Sequence, residues 1–483
     1  MADSKSSSPK SKPWKLTIAA LILAVVLAIA TIINVAWQGL NQRAPLTSYE
    51  SPAEHFKYGS IGTESVNGIP FWIWVVLPRL FPEKLPGPGG YTSLGLTWEP
   101  GHELPVGFTK EIIGFPRVSL NCAACHVGTL RNTVTESPTL LLGAPSSTFN
   151  VQRYVQFLLD CAQDPRFNAN FILPEITYNI NLSLWDKLLY RFAIIPGTKK
   201  ALLADSQNPT WVSDRPMFGP GRTDMNPLKI GVLNLPDDGS VGSTDIMAVW
   251  NEAAHDGFYK HSDGLTSDLH EAVLSSALGT GATLTTVHLE SLERVETWMR
   301  ETPPVPYPYP INTAVAAQGK PIFETSCATC HAVDGARTGT VIPLSEIATS
   351  PNRANHWTPD AAAAFNAFPS ETEGRFPNVQ DTDGYTAVSL DGIWARSPYL
   401  HNGSVPTLAA LLSAPDNRPQ TFYRGFDLYD TEHVGFISDG EAARKAGYRF
   451  DTNVVGNSNQ GHLFGIDLND DDKQALIEYL KTL

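Results

Sequence analysis

Cysteine and methionine are scarce in this chain, five of each among 483 residues. The methionines stand at 1, 217, 225, 247 and 299, so the last third of the sequence has none. Basic residues are also few, 35 against 49 acidic ones, and no Lys/Arg stripe occurs after the first 15 residues. The resulting charge of −14 argues against nucleic acid as a partner, because that binding needs clustered cations. Apolar material is not lacking. With 42% hydrophobic and 17% charged residues, disorder from low hydrophobicity is excluded. Gly and Pro, 37 each, forecast many turns and long loops, and the length suggests two or three domains.

Charge is missing from one further stretch, between Lys15 and Arg43. The run Leu16 to Ile33 is apolar but for two threonines, with Trp14 and Trp37 at its flanks, and it is expected to form a transmembrane anchor over 16–37. Lys5, Lys10, Lys12 and Lys15 would hold a tail, 1–15, in the cytoplasm, which places the remainder in the periplasm as a single-pass inner-membrane protein. The competing reading is a cleaved signal peptide, for which Ala28-Ile29-Ala30 offers a small-x-small site.

The few cysteines decide the class. Four of them form two C-x-x-C pairs, each followed at once by histidine: Cys122, Cys125, His126 in NCAACHV and Cys327, Cys330, His331 in SCATCHA. C-x-x-C-H is the attachment signature of a c-type haem. Two thiols on one helical turn can each form a thioether to a vinyl group, and the next side chain then aims its imidazole at the iron. A Cys₄ zinc site would not need histidine after both pairs. Paired disulfides, or a single thioredoxin-type motif, fit the doubled C-x-x-C-H poorly. The expected cofactors are therefore two covalently bound haem c groups. Cys161 has no partner left and is read as a buried, inert thiol.

The second motif follows AAQGKPIFET, in which Gly319, Ile322 and Phe323 suit an amphipathic first helix of a class I cytochrome c. The chain ends in DLNDDDKQALIEYLKTL, where Asn469 or a neighbouring Asp can cap a helix. Leu476, Leu480 and Leu483 would share one of its faces. The expected fold is mainly α: two class I cytochrome c-like domains with long loop insertions, at 40–300 and 312–483. A Pro-rich linker at 301–311 joins them, and one N-terminal transmembrane helix precedes them.

Two C-x-x-C-H motifs about 200 residues apart, then SPYLHNGSVPTLAALL and GNSNQGHLFGIDL, resemble the bacterial dihaem cytochrome c peroxidase superfamily, closest to its rubber oxygenase and dihaem fatty-acid dioxygenase branch. The resemblance implies that peroxide or dioxygen reacts at the first haem while the second relays electrons. The lack of methionine after His331 removes the usual sixth ligand of a cytochrome c and leaves His356, His401, His433 and His462 as candidates. The resemblance points to His462, with His401 as runner-up. It also matches Trp250 to a tryptophan between the two haems. For the distal side of haem one, His55, His102, His255, His261, His270 and His288 are all available, and no spacing selects among them. HSDG at His261 to Gly264 departs from the HWDG-like string of the branch, so polyisoprene cleavage is not carried over. A calcium ion occurs in related peroxidases, but no dedicated ligand loop is visible here.

The alternative to an enzyme is an electron-transfer cytochrome without substrate chemistry of its own, serving a cytochrome or quinol-chain partner.

Overall fold

The computed structural model describes residues 13–206, 210–368, 376 and 378–483. Lys5, Lys10 and Lys12 lie outside the described residues. Helix dominates, and the strands are short, at most six residues, in small antiparallel sheets.

The transmembrane anchor expected over 16–37 is not supported. A helix runs over Pro13–Asn41, but among the described residues no helix is long and apolar enough to cross a membrane. The single-pass inner-membrane location rested on that anchor, as did the periplasmic placement of the remainder. Both fall with it.

Three apolar cores organise the body. The first gathers Phe71–Leu80, Val151–Gln163, Ala169–Asn179 and Ile195–Ser206 around Trp74, Phe108 and Phe157. Its helices are amphipathic: Val151–Gln163 turns Tyr154, Phe157, Leu158 and Cys161 inward and is capped by Asn150, which accepts from the Arg153 amide. The second core mixes residues 56–299 with Trp357, Phe365 and Phe376 from the later sequence. The third does the reverse, adding Leu130, Leu141, Ala144 and Trp250 to the apolar face of residues 323–480. The two motif-bearing halves therefore share their interiors.

In the C-terminal half, helix Thr313–Ser326 leads into the second haem motif and crosses the last helix, Asp470–Leu480. Gly319 permits the crossing, since a Cβ there would lie 1.9 Å from the Ala475 carbonyl oxygen. Asn469 caps the last helix by accepting from the Asp472 amide at 2.9 Å, with Asp470, Asp471 and Asp472 at its positive end. The first half frames its motif differently. An antiparallel hairpin, Phe108–Ile113 with Phe115–Leu120, delivers the chain to Cys122, and Val127–Leu130 pairs with Thr139–Leu142 beyond it. At Gly107 (φ 85°) the chain passes so close to the motif that a Cβ would meet the Ala124 amide nitrogen at 2.1 Å.

Candidate haem sites

Both haem motifs form single helical turns, Ala123–His126 and Ala328–His331. Each places its histidine in the same way: Nδ1 faces a backbone carbonyl, Met247 O at 2.9 Å for His126 and Val388 O at 2.7 Å for His331. An N–H committed there fixes the tautomer and leaves Nε2 as the free lone pair, which is how a metal-binding imidazole is usually held. Burial pushes His126 down to about 4 and lowers His331 as well, so both rings are neutral and able to ligate at pH 7. Burial likewise pushes the Cys122, Cys125 and Cys327 thiols up, to about 11, 12 and 11.

The second motif opens on a cavity of about 480 Å³ whose wall includes Cys327, Cys330, His331, Arg396, His401 and His462. His331 and His462 face each other with ring centroids 6.2 Å apart and planes at 45°. Two imidazole nitrogens about 2.0 Å from one metal, each roughly 1.1 Å ahead of its ring centre, would separate the centroids by about 6.2 Å. The other candidates are engaged differently. His401 lines the same cavity, but its ring stacks on Tyr385 at 3.6 Å and 12°. His356 bonds Ser240 Oγ at 2.6 Å, and His433 pairs with Asp430. The cavity wall also carries buried polar atoms without a partner: His462 Nδ1, Ser389 Oγ, Thr349 Oγ1 and Arg396 Nε. A polar macrocycle with carboxylate arms, tethered at Cys327 and Cys330, fits such a lining; an empty apolar void would not.

His462 is held under constraint. Its φ is +50°, in the left-handed region, and its amide donates to Ile347 O at 2.8 Å. Behind it lies Arg418, 2% exposed, which the sequence did not single out. All five of its N–H groups reach backbone carbonyls: Nε to Ser413, Nη1 to Asn459 and Gly461, Nη2 to Leu411 and His462, at 2.6–3.2 Å. Among the described residues no carboxylate pairs with it. Burial lowers its pKa, and the site uses it as a fixed fork of donors.

A family model described as RoxA-like, cytochrome c-like matches residues 384–423. The chain is similar to RoxA-like cytochromes c over that stretch. The stretch carries Tyr385, Ser389, Arg396, His401 and Arg418, which is one wall of the cavity and the clamp behind His462. Two proteins of Sinorhizobium fredii (strain NBRC 101917 / NGR234) are also similar. Uncharacterized protein y4iM is 32% identical over 221 residues, 41% of this chain and 50% of that protein. Uncharacterized protein y4iJ is 48% identical over 114 residues, 22% of this chain and 19% of that protein. The chain thus matches half or less of the length of these relatives. The family match supports haem c and a cytochrome oxidoreductase in general terms.

Trp250 lies between the motifs. It is 1% exposed and donates from Nε1 to Asp391 O at 3.2 Å, with the Arg396 guanidinium 5.4 Å from its ring centre. It abuts Gly143 on one side and Gly392 on the other. The Gly143 amide bonds the His126 carbonyl, and that of Leu390 bonds the His331 carbonyl. The indole thus spans from the segment tied to His126 to the segment tied to His331.

Five of the six histidines open for the distal side of haem one are engaged elsewhere. His55 bonds Ser291, His102 stacks on Tyr58, His255 faces Asp391, His270 pairs with Glu296 and His288 with Glu111. His261 (φ +62°) is the exception: among the described residues no ring stacking or ion pair engages it, and burial pushes its ring down to about 4. Chain position could not have sorted these six, because the selection comes from long-range packing. Cys161 is fully buried and its thiol is raised by burial, as an inert core sulfur would be. Among the described residues no group of three or more His, Cys, Asp or Glu could hold a metal ion.

Proposed function

We propose that this chain is a dihaem c-type cytochrome oxidoreductase: peroxide or dioxygen reacts at the haem carried by Cys122, Cys125 and His126, and the haem carried by Cys327, Cys330 and His331 relays electrons. The observation that carries the reading is the opposed pair His331 and His462, 6.2 Å apart beside the Cys327–Cys330 turn and its cavity. Bound haem would supply one-electron exchange at both sites and, where no protein group fills the sixth position, a place for a small oxidant.

The protein's own part is positional. Met247 O and Val388 O hold the two proximal imidazoles in one tautomer. Arg418 fixes the segment bearing His462, which closes the second site against a substrate. Among the described residues no ring is paired with His126 as His462 is with His331, which supports placing substrate chemistry at the first site. His261, the one of the six not stacked or ion-paired among the described residues, is the candidate for proton transfer at this site. Trp250 is assigned to electron passage between the sites.

The test uses protein from a host with working cytochrome c maturation. Denatured protein should gain the mass of two haems. One iron should be low-spin and inert, and the other should respond to peroxide, carbon monoxide or oxygen. Two low-spin irons that bind nothing in either redox state would refute the enzymatic reading and leave electron carriage. His462→Gly should turn the second haem high-spin.

A further inference from the structure

A second feature lies away from the haem motifs and turns one apolar face outward. Helix Leu184–Leu189 continues through a π-helical turn, Tyr190–Ile194, into helix Ile195–Ser206. Tyr190 and Ile194 anchor this run in the first core at 4% and 6% exposure. On the opposite side Leu184 is 81% exposed, Trp185 53%, Leu188 49% and Phe192 72%. The spacing 184, 188, 192 keeps one apolar stripe facing outward, with Trp185 beside it. Tyr178, on the preceding helix Ala169–Asn179, is 87% exposed.

Large aromatics bury roughly 150–250 Å² each, so these side chains offer several hundred Å² of apolar surface, at or above the largest patch of an ordinary monomer. The segment that carries it is basic: residues 184–200 hold Lys187, Arg191, Lys199 and Lys200 against Asp186 alone, in a protein of net charge −14. Arg191 also donates to Asn170 Oδ1 and Lys199 to Asp164 O. Asp186 is occupied by the capping box with Ser183. Leu, Trp and Phe on one face with Lys and Arg at its edges is the pattern of a helix that lies in an anionic lipid interface.

We propose that the segment Leu184–Phe192 docks this protein on the surface of a membrane bearing negatively charged headgroups. It lies in the plane of the interface without crossing it, and it is a separate element from the helix Pro13–Asn41. Trp185 and Phe192 enter the headgroup–acyl boundary, while Lys187 and Arg191 meet lipid phosphates.

The experiment uses the full-length holoprotein with phosphatidylcholine vesicles, with and without phosphatidylglycerol, read by flotation. Flotation is read across a lipid titration, so that the midpoint and not the bound fraction at saturation is compared between wild type and variants. Binding should require phosphatidylglycerol and weaken at high salt, as charges about a Debye length apart are screened. Leu184→Ser/Trp185→Ser/Phe192→Ser should bind about tenfold more weakly or worse, with unchanged haem spectra. Val455→Ser, at another exposed apolar site, should bind as wild type. Amide exchange over residues 184–192 should slow only on the anionic vesicles. Equal binding by the triple variant, or exchange there unaffected by vesicles, overturns the proposal. So does protection that follows protein concentration without lipid, which would make the patch a contact between two copies. Failure of the haem reading would appear in mass and spectra and leave these vesicle results unchanged.

Discussion

Replacing Arg418 with lysine keeps the positive charge and removes two of five donors. Lysine has three N–H groups, so at least two of the carbonyls of Leu411, Ser413, Asn459, Gly461 and His462 lose their partner. At about 1–3 kcal/mol for each buried acceptor left unpaired, the cost is about 2–6 kcal/mol. It is concentrated on the segment 459–462, which already carries a left-handed His462. The segment should loosen before the rest of the fold, because the helix crossing of 313–326 with 470–480 does not depend on Arg418. In the haem-loaded protein the expected result is a mixed-spin second haem and a lower melting temperature. Adding His462→Gly to Arg418→Lys should change thermal stability less than it does in the wild type, since the two act on one segment. Electron paramagnetic resonance and calorimetry read both. If Arg418→Lys stays fully low-spin and melts within about 0.5 kcal/mol of wild type, the five-carbonyl clamp does not hold His462 and the reasoning fails.

Other perturbations have defined signs. Gly319→Ala pushes a methyl group into the Ala475 carbonyl and should cost about 1–3 kcal/mol by thermal melting; an unchanged melt would mean that the two helices separate freely. His356 is buried beside Asp224, Lys229 and Arg353, and burial holds it down at about 4 against an ordinary 6.5. The unfolded chain therefore takes up the proton first, and stability should fall as pH drops from about 6.5 towards 4, by about 2 kcal/mol between pH 7 and 5. Denaturant titrations at the two pH values should show a smaller fall for His356→Gln. Trp250→Phe removes the bond to Asp391 O, at about 1 kcal/mol, and should slow reduction of one haem by the other with both spectra intact; stopped-flow reduction at the wild-type rate would remove Trp250 from the path.

Local signals carried much of this architecture. The last helix was readable from its acidic first turn, its Asn469 cap and its leucine spacing, and its crossing partner from Gly319, Ile322 and Phe323 before Cys327. The doubled C-x-x-C-H placed the haem candidates outright. The strands around the first motif and the mixing of cores across the halves were not readable, because both depend on contacts hundreds of residues apart. Arg418 gave no signal, since a lone arginine in a proline-bounded loop becomes a clamp only once residues 411–413 and 459–462 are brought together. The N-terminal run misled for a related reason: a tally of apolar residues is not a spanning helix.

The Pro-rich stretch between the halves is stitched down along its length. Val305 O accepts from Trp394 Nε1 at 2.7 Å, and Tyr307 packs edge-on against Trp394. Tyr309 stacks on Tyr429 and bonds Asn132. Arg131 and Thr129 both reach Asp427 across the same divide. A protease cut near Pro308 would therefore leave a nicked but undivided particle, its halves retained by the seam after the covalent thread is gone.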